Sequence, residues 1–116
     1  MAVFIPNFRP KRIHNKYNAS RTVVNGIKFD SKAEASRYSQ LCLMLRSGKI
    51  KAFSRQPSFI ISEADGKVLR YRPDFIVWDG SKVWVEDVKG FSTAEFRAKA
   101  TMFREKYPYL ELRVIK

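Results

Sequence analysis

One cysteine and one histidine among 116 residues leave little material for soft-metal chemistry. Structural and catalytic zinc sites draw on several Cys and His ligands, so a zinc centre lacks its parts. A His-based active site lacks them too, because His14 stands alone near the N-terminus. Cys42 has no second cysteine to bridge to, and its place in a helical pattern reads as a small packed thiol. The five glycines form no phosphate-cradling loop, so no nucleotide cofactor is expected. No apolar run approaches the length that spans a bilayer, and no secretory h-region opens the chain. A long basic amphipathic helix that could lie on an anionic membrane is missing as well. The expectation is a cytosolic protein without a membrane partner. Serine and threonine are present, but no base accompanies them as the partner of a nucleophile.

Acids are also scarce, eleven against twenty-three Lys and Arg, which leaves a net charge of +12. Such a balance favours polyanionic partners, nucleic acid first among them. The cations are concentrated at the start: Arg9, Lys11, Arg12, Lys16 and Arg21 all precede the first acid, Asp30. Pro6 and Pro10 interrupt any helix there, and Phe4, Ile5, Phe8 and Tyr17 alternate with the charges. Residues 1–20 therefore read as a basic arm, and residues 21–116 as a single domain. The arm reads as a solvated tail with a few core anchors, an exchanged dimer arm or, slightly ahead of these, a contact for phosphates. Hydrophobic content of 45% and aromatic content of 14% supply that domain with one modest core.

Along the domain, Asn25-Gly26 between short apolar pairs predicts a small hairpin. Ser31 and Glu34 have the spacing of a capping box. Ala35, Tyr38, Leu41, Cys42 and Leu45 then recur at helical steps until Gly48, so a helix is expected over about 31–47. Lys49 to Arg55 reads as a basic, partly extended connection. Gln56-Pro57 precedes an apolar strand at 58–62, a turn at 63–66, and a returning strand from Val68 that continues past Pro73 to Trp78. Asp79-Gly80 reads as a two-residue turn into Val83–Lys89. Thr93 is an N-cap candidate for a helix to about Lys106, and residues 110–115 alternate like a last strand. Repeats and low-complexity segments do not occur.

Three of the eleven acids, Asp74, Glu86 and Asp87, lie in or beside the corner where the 71–78 and 83–89 strands meet, and Glu34 stands in the first turn of the expected helix. Side chains alternate along a strand, so Asp87 and Lys89 point to one face and Glu86 to the other. Asp74 sits where Pro73 interrupts the incoming strand, at the same open end. Two carboxylates and an amine can converge there, as a metal site with a charged helper. Taken alone, the trio reads better as a surface salt bridge at a sheet edge, which contributes little; the fold order and the basic background are what favour a site. Glu34 reads as a helix cap, and Glu86 as a structural or supporting group.

Pro73-Asp74, a second strand and Asp87-Val88-Lys89 resemble the PD-(D/E)XK signature of the restriction-endonuclease-like nucleases. The likeness extends over about residue 20 to the C-terminus. It includes Phe29–Glu34, Gln56-Pro57, Pro73–Phe75 and Val85–Gly90, which are similar to small phage and prophage endonucleases and Holliday junction resolvases. The resemblance implies an α/β fold with an αβββαβ core and a mixed central sheet flanked by helices. It implies Mg²⁺, with Mn²⁺ able to substitute, held by Asp74, Asp87 and the Val88 carbonyl. Lys89 would orient or deprotonate the attacking water, and Glu34 would bind a second metal or hold its water. The implied reaction is hydrolysis of DNA phosphodiesters leaving a 5′-phosphate, in the cytoplasm of a bacterial or phage-infected cell. Branched DNA and a homodimer are the expected partners, with Arg55, Gln56 and Arg72 joining the arm in binding nucleic acid. A nickase of ordinary duplex and an inactive basic DNA-binding protein are the alternatives.

Overall fold

The computed structural model describes residues 11–14 and 20–116, which fall into two compact units, Met1–Lys49 and Ile50–Lys116. In the first, β1 (Lys11–His14), β2 (Ser20–Val24) and β3 (Ile27–Phe29) form an antiparallel sheet in that order. The stretch read as an arm thus contributes a strand, with Lys11 opposite Val23 and His14 opposite Ser20. The remainder of that stretch, with Arg9 and Lys16, lies outside the described residues. Asn25 and Gly26 both have positive φ (52° and 77°), the backbone that a tight two-residue hairpin turn requires.

The helix α1 (Lys32–Ser47) begins and ends where its caps predict. The Ser31 hydroxyl accepts the Glu34 N–H at 3.1 Å, and Gly48 closes the helix in the left-handed region at φ 82°. The helix packs on β2 and β3, burying Ala35 and Leu41, and Tyr38 lies with its ring 5.2 Å from that of Phe29. No helix among the described residues is long and apolar enough to cross a membrane.

The second unit is a mixed four-stranded sheet with a separate hairpin and one helix. Its sheet order is β4 (Ala52–Arg55), β7 (Phe75–Trp78), β8 (Val83–Val88), β9 (Glu111–Ile115), while β5 (Phe59–Ala64) and β6 (Lys67–Tyr71) pair only with each other. The first two ladders are antiparallel and β8–β9 is parallel. A parallel neighbour requires a crossover, which α2 (Ala94–Lys106) supplies, capped by the Thr93 hydroxyl on the Phe96 N–H at 3.1 Å.

Three features differ from the sequence expectation. The stretch 49–55 is not only a connection: Ala52–Arg55 is a strand of the central sheet. The expected continuous strand from Val68 to Trp78 is two strands in two sheets, because Pro73 has no N–H to continue a ladder. The turn after Trp78 spans four residues, with the Asp79 carboxylate accepting the N–H groups of Ser81 and Lys82.

Register and alternation divide the sheet faces. Phe75, Val77, Trp84 and Glu86 share one face, all buried. Val85 and Leu112, on the other face, join Ile61, Tyr71, Phe96, Ala100 and Phe103 in one apolar cluster between the sheet, the β5–β6 hairpin and α2. Rings supply most of it: Phe103 lies 5.0 Å from Phe59, 5.5 Å from Tyr71 and 5.2 Å from Tyr107. Burying one such ring contributes about 1.5–3 kcal/mol.

Candidate active site

The β7–β8 register ends at Phe75 opposite Glu86, and one further step sets Asp74 opposite Asp87. Both therefore belong to the α2 face of the sheet, at the end where Pro73 stops β7. β8 runs on beyond its partner, and its Val88 N–H has no strand residue to bond. Asp74 supplies the acceptor: Val88 donates to Oδ2 at 2.7 Å. The Asp74 carbonyl in turn accepts the Gln56 N–H at 2.9 Å, which fixes the far side of the same residue.

Asp87 is buried, 3% exposed, and its two oxygens have different partners. Oδ2 accepts the Tyr71 hydroxyl at 2.5 Å. Oδ1 lies 3.0 Å from Lys89 Nζ, an ion pair without the angles of a hydrogen bond, and has no hydrogen bond among the described residues. The Lys89 ammonium also sits 4.9 Å from the centre of the Phe96 ring, so α2 limits where it can go. Burial pushes the Asp87 carboxyl above the usual carboxylate range; the Tyr71 hydroxyl and Lys89 oppose that shift and the charge of Asp74 adds to it. Burial, then the bond to Asp87, holds the Tyr71 hydroxyl far above the tyrosine range, so it stays a donor.

A cleft of about 430 Å³ opens here, lined by Arg70, Arg72, Lys89 and Lys99 together with Tyr71, Asp87 and the first turn of α2. Four cations stand around the buried Asp87 carboxylate and the exposed Glu95, which pairs with Lys99 at 3.3 Å, and this surplus suits an anionic ligand that meets a cation. Among the described residues no three Asp, Glu, His or Cys side chains gather in one place. Two carboxylates with main-chain oxygen, water and a substrate phosphate nevertheless suffice for Mg²⁺, which keeps much of its water. The hydrogen-bond-deficient Oδ1 of Asp87, beside the charge of Asp74, is the kind of oxygen such a cation would satisfy.

Asp74, Asp87, Val88 and Lys89 are thus brought together as their spacing predicted. Glu34 belongs to the first unit, buried in the first turn of α1 with its main chain on Ser31. Lys11, Arg12 and Arg21 lie on β1 and β2, and Arg55 ends β4. Gln56 is exposed and holds a left-handed backbone, φ 50°, uncommon for a side chain of its size. Glu86 faces away from the cleft and accepts the Trp84 indole N–H at 2.8 Å, which fits the structural role expected of it.

Tyr71 is not singled out by the sequence, where it is one aromatic residue of an expected strand. A tyrosine two residues before a strand-breaking proline was the available signal, since a buried hydroxyl needs a partner.

Residues 14–116 match a family model described as "Protein of unknown function (DUF1064)". No curated protein and no solved structure matches the chain.

Proposed function

The chain belongs to the DUF1064 family, and from the chemistry of its own sheet corner we propose that it is a metal-dependent DNA endonuclease of the PD-(D/E)XK superfamily. The observation that carries this reading is the meeting of Asp74, Asp87 and Lys89 at one strand end, with Asp87 Oδ1 buried and lacking a hydrogen bond. Chain order supports it: α1, then β4, β7 and β8, then α2 and β9 follow the αβββαβ sequence, with β5–β6 as an inserted hairpin. The net charge of +12 supports a polyanionic substrate.

Asp74 and Asp87 would hold Mg²⁺, with the Val88 carbonyl available on the same strand end. The chemistry such a cation supplies when bound is Lewis-acidic, activating water and neutralising phosphoryl charge. Lys89 adds up to three N–H donors to the corner, placed to orient the attacking water and to stabilise charge that develops on the phosphoryl oxygens. Phe96 and Tyr71 border the corner with rings and limit the water around it. Arg70, Arg72 and Lys99 would receive the neighbouring phosphates. Glu34, a branched substrate, a 5′-phosphate product and a homodimer enter this reading through the resemblance.

The test is cleavage of a labelled four-way junction and a matched linear duplex, with Mg²⁺ or EDTA. Wild type is expected to cut with Mg²⁺ only, Asp87→Ala to be inactive, and Lys89→Ala to lose roughly 10²–10⁴-fold in rate. Paired nicks on the junction would mark a resolvase, and equal cutting of both DNAs a general endonuclease. Tight DNA binding without cleavage in any divalent metal would sink the enzyme.

A further inference from the structure

A carboxylate on a strand can meet a cation with either oxygen or with both, because its last torsion is broad and two-fold. At Asp87 that freedom is removed. Tyr71 is 4% exposed, and its ring lies 6.4 Å from Phe96 and 5.5 Å from Phe103 of α2, so packing fixes where the hydroxyl points. The single hydroxyl proton is committed to Oδ2 at 2.5 Å, while Oδ1 has only the Lys89 ammonium at 3.0 Å.

We propose that Tyr71 is the positioning residue of this corner, reserving Oδ2 so that Asp87 takes a cation through Oδ1 alone. The proposal rests on the endonuclease reading and adds to it a source of metal selectivity. Ligation through one oxygen suits Mg²⁺, which is small, octahedral and keeps its water. Ca²⁺ takes six to eight oxygens and often grips a carboxylate by both. Tyr71 thereby favours the smaller ion.

The test is calorimetric titration of the full chain, without DNA, with MgCl₂ and with CaCl₂, for wild type, Tyr71→Phe and Asp87→Asn. Phenylalanine keeps the ring and its packing, and an unchanged circular-dichroism spectrum with a cooperative melt verifies this, the midpoint itself being expected to fall because Oδ2 loses its donor. Tyr71→Phe is expected to weaken Mg²⁺ binding about 10- to 100-fold and Ca²⁺ binding by no more than about threefold. In the wild type, a slowly exchanging Tyr71 hydroxyl proton seen by NMR is expected to persist when MgCl₂ is added. Unchanged Mg²⁺ affinity in Tyr71→Phe, or equal loss for both ions, would overturn the positioning role and leave the endonuclease reading standing. Loss of the hydroxyl resonance on adding Mg²⁺ would overturn it as well. Divalent binding by the wild type that is absent altogether, or unaffected by Asp87→Asn, would remove the endonuclease reading itself.

Discussion

Asp87 places a carboxylate out of reach of most water, 3% exposed between the Tyr71 hydroxyl and the Lys89 ammonium, where charge is poorly solvated. Its carboxyl pKa is raised in the folded chain, chiefly by burial. A raised carboxyl means the folded state holds its proton more tightly than the unfolded one. The associated stability is complete below the ordinary carboxylate pKa and is lost as pH rises through the folded value. At neutral pH, without a divalent ion, the ionised side chain therefore opposes folding. Asp87→Asn keeps an acceptor for the Tyr71 hydroxyl and removes the charge. It is expected to stabilise the protein by about 1 kcal/mol at pH 7, roughly 3–6 °C in Tm. Thermal melts from pH 3 to 8 would show the difference shrinking on acidification; an asparagine variant less stable than wild type at pH 7 would refute the argument. Functional groups held in place at a cost to stability are usual where chemistry is done.

At the scale of elements, two prolines divide the second unit. Pro57 separates β4 from β5 and Pro73 separates β6 from β7, so the hairpin between them leaves the sheet that its neighbours build. The junction before Pro57 is strained: exposed Gln56 holds φ 50°, where a Cβ is unfavourable and glycine is at ease. Gln56→Gly is expected to raise stability by about 0.5–1 kcal/mol in urea melts while lowering DNA cleavage, if the side chain is kept there for the substrate. Equal activity with greater stability would make the residue a turn and nothing more. The same junctions mark how far the sequence could be read. Caps, apolar periodicity and turn dipeptides are local, so α1, α2, β9 and the Asn25-Gly26 hairpin were legible, as was the meeting of Asp74, Asp87 and Lys89 across one ladder. Sheet membership depends on distant partners. Ala52–Arg55, AFSR, has one large apolar residue and becomes a strand only because β7 offers it a ladder. The bond from Tyr71 to Asp87 joins residues sixteen apart through the packing of α2, which no spacing rule encodes.

For the whole molecule, the surplus of cations would set how it meets the proposed DNA substrate. With a net charge of +12, binding should be governed by release of counterions from phosphates. Affinity measured by anisotropy between 50 and 300 mM salt is expected to fall along a log–log line, with a slope of about −0.9 for each phosphate contacted. Arg72→Ala, at an exposed position beside the cleft, should flatten that slope by about one and weaken all sequences alike. A slope near zero would show that the charge serves some other purpose.

The carboxylate of Asp74 ends a sheet, since its oxygen takes the Val88 N–H that a terminated β7 cannot. On the proposed reading, folding and catalysis would both act on that one group, while the Lys89 ammonium holds the buried Asp87 carboxylate and lies over the Phe96 ring. A descendant that gave up the proposed hydrolysis would still need Asp74 to close the strand end. Retention of Asp74 across a lineage would thus record architecture whether or not the chemistry survived.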